Sequence, residues 1–112
     1  MKLIIAGGRD YVFTGEDEVH LDEIHAQTPV TEVVSGRAQG ADAEGERWAR
    51  NNGLPVSAFP PDWNMHGKKA GPRRNADMAR YADALVLFPG GKGTRSMYNE
   101  AKRAGLEIWD FR

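Results

Sequence analysis

The 112-residue chain predicts a three-layer α/β/α fold built on a five-stranded parallel sheet. Three observations carry that prediction. Continuous apolar runs, the mark of strands buried on both faces, alternate with polar, helix-length segments. Five strands are separated by helical stretches of about ten to fourteen residues, which is the spacing of βαβ crossovers. Right-handed crossovers in a doubly wound sheet then favour the strand order 3-2-1-4-5.

The elements follow in order. "KLIIAG" (2–7) is the first strand, apolar throughout and ended by glycine. Residues 14–27 predict a helix, with Thr14 as cap and a loose stripe of Val19, Leu21, Ile24 and His25. "TEVVSG" (31–36) is a short strand, and "ADAEGERWARNNG" (41–53) a helix with Asp42 and Glu44 at its positive start and Gly53 at its stop. "PVSAF" (55–59) is a third strand. The segment 60–71 predicts irregular structure, because Pro60 and Pro61 bar a helix at its start and glycines punctuate the rest. A helix over 72–82 then opens on Pro72, and "DALVLF" (83–88) is the fourth strand. The helix "TRSMYNEAKRAG" (94–105) and the strand "LEIWDF" (106–111) complete the chain.

Bulk properties exclude several classes of function. The length suits one domain, expected to span 1–112. A formal net charge of -1 argues against a general electrostatic grip on nucleic acid. The absence of cysteine excludes disulfides, thiolate metal sites and cysteine nucleophiles. No apolar run approaches the roughly 20 residues of a membrane span. "MKLIIAGG" reads as a buried strand rather than a secretory leader, so a soluble, cytoplasmic protein is expected.

Ligands of such sheets bind beyond the carboxyl ends of the strands, near the reversal of strand order. Three unusual loops leave strands at that edge: "GGRDY" (7–11), "SGRAQGAD" (35–42) and "PGGKGT" (89–94). Glycine lets backbone N–H groups approach an anion, and a following helix start adds positive partial charge. One such loop is as readily a plain strand-to-helix turn, but three on one edge point to a phosphate-bearing ligand. Neither common nucleotide fingerprint is present. Lys92 precedes Gly93-Thr94 instead of forming a Gly-Lys-Ser/Thr ending, and only Gly7-Gly8 follows the first strand.

Polar residues around these loops fit an anion. Arg9 and Arg37 have the fork geometry for phosphate oxygens, or are solvated charges. Thr94 donates to a phosphate, caps its helix, or does both. Asp10 and Asp42 either receive ribose hydroxyls or cap helices, and for Asp42 the cap is the preferred reading. Glu46, one turn beyond Asp42, faces the same cleft or pairs with Arg50. In "DWNMHGKKAGPRRN" (62–75), Trp63 stacks on a base or anchors the loop, while Lys68, Lys69, Arg73 and Arg74 close over an anionic ligand. His20 and His25 lack metal-ligand spacing and read as surface or packing residues. Neither a metal nor another cofactor is expected.

"AGGRDY", "SGRAQGADAEGERWA", "FPPDWNMHGKKAGPRRNADMA" and "FPGGKGT" together resemble the YspA-like branch of the SLOG superfamily, in collinear order over nearly the whole chain. The resemblance implies a Rossmann-like domain that binds a nucleotide or nucleotide-derived ligand. Relatives in that superfamily include the LOG phosphoribohydrolases, the DNA-processing protein DprA and sensors of NAD-derived signals. LOG enzymes pair Arg-Lys-x-x-Met with Pro-Gly-Gly-x-Gly-Thr-x-x-Glu. Arg74-Asn75-Ala76-Asp77-Met78 is similar to the first, which assigns Arg74 the place of a catalytic arginine and Asn75 a place beside it. "PGGKGTRSM" follows the second through Thr94, then puts Met97 where the catalytic glutamate belongs. A thioether neither stabilises a cationic sugar nor orients water.

The expected function is therefore binding, with Gly90, Gly91, Gly93 and Thr94 around the phosphate and Gly8, Ser35, Gly36 and Gly40 beside them. Arg9, Lys69 and Arg74 would neutralise the ligand; Asp42 and Glu46 would serve ribose or structure. The alternatives are an N-glycosidase whose carboxylate comes from Asp10, Glu46 or Asp62, and a DprA-like binder of single-stranded DNA. The net charge weighs against the second of these. Trp48, Tyr98 and Trp109, with the dimers known among LOG enzymes, suggest a homo-oligomer.

Overall fold

The computed structural model describes residues 1–112. The elements are β1 (Lys2–Ala6), α1 (Gly15–Gln27), β2 (Glu32–Ser35), α2 (Ala41–Asn51), β3 (Val56–Ala58), α3 (Trp63–His66), α4 (Ala70–Tyr81), β4 (Ala84–Leu87), α5 (Lys92–Arg103) and β5 (Glu107–Asp110). A single 3-10 turn, Gly67–Lys69, links α3 to α4. The five strands form one parallel sheet in the order β3-β2-β1-β4-β5, as the crossover rule predicts.

Strand periodicity divides the core into two layers. Leu3, Ile5, Val33 and Val86 meet Leu21 and Ile24 of α1 and Trp48 of α2 on one face. Ile4, Val34, Leu85 and Leu87 meet Met78 of α4 and Met97 and Ala101 of α5 on the other. β1 and β4 are covered on both sides, which is why they read as unbroken apolar runs. Truncating Ile4 or Leu85 to alanine at such positions costs about 2–5 kcal/mol.

Some expectations are corrected. Residues 60–71 are not wholly irregular: Asp62 caps α3 by accepting the Met65 N–H at 3.0 Å, and α4 opens at Ala70. Pro72 is thus the third residue of α4, still among the first four whose N–H reaches no helix carbonyl. Val19 is exposed, so the stripe of α1 is carried by Leu21 and Ile24. Trp48 is buried in the core, its indole N–H donating to Asp22 Oδ1 at 2.9 Å. The two histidines do pack: His20 stacks on Phe111, and His25 meets Trp48 edge-on while its Nδ1 accepts the Val30 N–H at 2.9 Å. No helix is long and apolar enough to cross a membrane.

Candidate ligand-binding site

At the carboxyl ends of β1, β2 and β4 lies a cavity of about 520 Å³, within the range typical of small-molecule sites. Gly8 binds the three flanking loops together. Its N–H donates to the Pro89 carbonyl at 2.8 Å, and its own carbonyl accepts the Ala41 and Tyr11 N–H groups at 3.0 and 3.2 Å. Gly40, at φ 70°, lies so close that a Cβ there would collide with the Gly8 carbonyl oxygen. This stitching brings the loop of β1 against the starts of both α2 and α5.

The helix N-termini at this edge differ in how they are capped. α1 has a complete capping box: Thr14 Oγ1 accepts the Asp17 N–H, and Asp17 Oδ2 accepts the Thr14 N–H. The N-cap of α2 is Gly40 and that of α5 is Gly91, neither with a side-chain cap. Asp42 and Thr94 are therefore not the caps that the sequence suggests. Asp42 is the second residue of α2, and Thr94 the third of α5. Thr94 is 5% exposed. Its hydroxyl has no protein partner and no side-chain polar atom is sealed off unpaired, so it opens onto the cavity that it lines.

The cavity wall contains Gly8, Arg9, Gly36, Asp42, Trp63, Arg74, Asn75, Gly91, Gly93 and Thr94. Several further lining residues were not selected from the sequence, among them Lys92, Ser96 and Met78. Lys92 was legible as a cation of the glycine loop. Ser96 falls just past the first turn of α5 and Met78 more than two turns into α4, beyond any loop signal. Met97 also lines the cavity and is almost fully buried.

Other candidates lie behind the wall. Ser35 and Glu46 are buried together, the Ser35 hydroxyl donating to Glu46 Oε2 at 2.6 Å. Glu46 pairs with Arg37, not with Arg50, through a 2.9 Å contact to Nη1. Gly40 and Gly90 pack against Gly8 and Thr94. Asp10 and Lys69 are exposed and do not line the cavity.

Asp42 and Arg74 set the electrostatics. The Arg74 guanidinium reaches over Gly36: Nη1 donates to the Gly36 carbonyl and, at 3.4 Å, to that of Phe59, while Nε donates to Asn75 Oδ1 at 2.9 Å. A Cβ on Gly36 would come within 2.8 Å of Arg74 Cζ and 3.0 Å of Asp42 Oδ2. Only glycine leaves room for both. Burial pushes the Asp42 carboxyl above the usual aspartate range, against the pull of the Ala38 N–H and of Arg74. Burial also lowers the Arg74 guanidinium, and the like charge of Arg9 adds to that effect, with Asp42 opposing it. Arg9, Arg74 and Lys92 outnumber Asp42, the one carboxylate on the wall. No three His, Cys, Asp or Glu side chains are grouped to hold a metal ion.

A parallel sheet of order 3-2-1-4-5 with a cationic, glycine-walled cavity at its switch point defines a Rossmann-like α/β protein. The chain belongs to the YspA, cpYpsA-related SLOG family, whose model matches residues 1–66. It is similar to the Gene 61 protein of Mycobacterium phage D29, with 42% identity over 98 residues, 80% of this chain and 78% of that protein. No solved structure matches the chain significantly.

Proposed function

We propose that the cavity binds a phosphorylated, nucleotide-derived small molecule and holds it intact, as a sensing or sequestering module. The observation that carries this reading is the unpartnered hydroxyl of the mostly buried Thr94, open to the cavity at the uncapped start of α5. Free N–H groups at a helix start, a hydroxyl donor and nearby cations suit a phosphate group. Membership of the SLOG family fits a nucleotide-related ligand.

Binding without cleavage is favoured by Met97, whose thioether occupies the cavity wall where the LOG signature has its glutamate. Glu46 is committed to Ser35 and Arg37, and Asp10 lies off the wall, so neither replaces that carboxylate directly. The test is equilibrium dialysis against a mixed pool of nucleotides, NAD derivatives and cyclic nucleotides, read by mass spectrometry. An intact phosphorylated compound retained on the protein side is the expected result. Free base or ribose phosphate accumulating would instead establish hydrolysis. Retention of nothing from the pool would remove the phosphate reading.

A further inference from the structure

Two polar side chains reach the cavity from opposite sides of β1. Thr94 comes from the β4 side and Asp42 from the β2 side. Asp42 is 9% exposed. Its hydrogen-bonded neighbours are the backbone N–H groups of Ala38, at 3.2 Å, and Gly36; no side chain donates to it. A buried carboxylate held by backbone alone keeps acceptor capacity for something in the cavity. The charged side chains facing it are Arg74 from α4, Glu46 from its own helix and, beyond Arg74, Arg9 from the β1 loop.

We propose that Asp42 forms a sugar-hydroxyl subsite, accepting hydrogen bonds from the vicinal diol of a 5′-phosphorylated riboside. This rests on the phosphate assignment at α5. With adjacent strands about 4.8 Å apart, the ends of β2 and β4 are separated by about 10 Å. The two residues follow strands that lie two positions apart in the sheet, a separation of the order that a sugar phosphate bridges with a hydrogen bond at each end.

Charge excludes the main rival. A second phosphate at the Asp42 end would meet a buried carboxylate, and like charges at close range repel strongly in a desolvated site. The ligand class is therefore a monophosphate carrying neutral donors at its other end, rather than a pyrophosphate or dinucleotide spanning both ends. The base would then lie along the apolar wall of Trp63, Pro72 and Met78.

The test uses three base-free probes, ribose 5-phosphate, 2-deoxyribose 5-phosphate and inorganic phosphate, titrated into the ¹⁵N-labelled chain and followed by amide shifts. Wild type is expected to bind the ribose ester roughly tenfold or more tightly than the deoxy ester, as one charge-assisted hydrogen bond provides. In Asp42→Asn the side-chain oxygen can keep the Ala38 N–H, turning its amide donor toward the ligand, so the preference should vanish. Equal wild-type binding of the two sugars overturns the subsite and leaves the phosphate assignment standing. A preference that survives in Asp42→Asn overturns the role of Asp42. No binding of any probe, phosphate included, overturns the phosphate assignment and the subsite with it. If Asp42→Asn does not fold, the wild-type ratio still decides.

Discussion

Arg37 Nη1 lies 2.9 Å from Glu46 Oε1, and this contact holds the only non-glycine residue with positive φ, 63°. The Arg37 N–H donates to Ser35 Oγ at 3.1 Å, and Ser35 Oγ in turn donates to Glu46. A side chain in the left-handed region persists only where its surroundings fix it. Here they fix the loop that presents Gly36 and Ala38 to the cavity.

The two partners of that contact should therefore behave unequally. Glu46→Ala strips the buried Ser35 hydroxyl of its acceptor and releases the loop, so a loss of about 1–3 kcal/mol is expected. Arg37→Gly gives up a half-exposed ion pair but relieves the backbone, and should change stability by less than about 1 kcal/mol. Urea denaturation of both variants checks this. Equal losses would mean that the ion pair, not the buried carboxylate, holds the loop.

Two glycines next to the cavity should respond in opposite directions. At Gly40 a methyl group meets the backbone of Gly8 and Arg9 in a conformation that L residues rarely adopt. Gly40→Ala should thus cost about 3 kcal/mol or more. Around Gly93, within α5, there is nothing for a Cβ to meet within 4 Å. Gly93→Ala should stabilise the helix by about 0.5–1 kcal/mol while its methyl group crowds the phosphate position. Thermal melts measure the first effect, and phosphate-ester titration the second. A stabilised variant with undiminished binding would move the phosphate away from α5.

The strand order was legible because alternating apolar runs and short crossovers leave few topologies open. The three glycine loops were legible for a related reason: Gly8, Gly36 and Gly90 stand where the backbone comes close to a neighbour. Less legible were tertiary partners. Glu46 carries the same one-turn spacing to Asp42 and to Arg50, yet its partner is Arg37, brought to it by a turn with positive φ. Asp42 and Thr94 looked like caps because both stand near helix starts. The caps are glycines two and three residues earlier, Gly40 and Gly91, which supply no side chain, and this frees both polar groups for the cavity.

The Tyr11 hydroxyl donates to Asp17 Oδ2 at 2.6 Å, tying the loop that carries Arg9 to the start of α1. That bond, with burial, pushes the phenol from 10.0 up to about 12. Between the unfolded and folded values the native state holds the extra proton, so stability falls as pH rises. The contribution is complete below about pH 10 and gone above about pH 12. Asp17 works at the other end. Burial pushes its carboxyl up, but the bonds from Tyr11 and Thr14 outweigh this and hold it below 3.8, so its contribution is lost as acid protonates it. Tyr11→Phe should cost about 1–2 kcal/mol at neutral pH and flatten the alkaline loss relative to wild type. Denaturation midpoints from pH 8 to 12 give the comparison. Parallel curves for the two proteins would show that Tyr11 is not the alkaline group.

Trp63 offers a direct report on the cavity. It is 53% exposed and lines the wall, while Trp48 is buried in the core and Trp109 packs beside it. α3, which carries Trp63, buries none of its residues, so substitution there should leave stability within about 0.5 kcal/mol. A base stacked on the indole is worth about 1–3 kcal/mol. Titration with adenosine 5′-monophosphate should shift tryptophan emission in wild type and not in Trp63→Phe. In Trp63→Ala the affinity should fall about fivefold to 150-fold. If the emission change survives in Trp63→Phe, the base does not lie against Trp63, and the apolar face of Pro72 and Met78 must hold it alone.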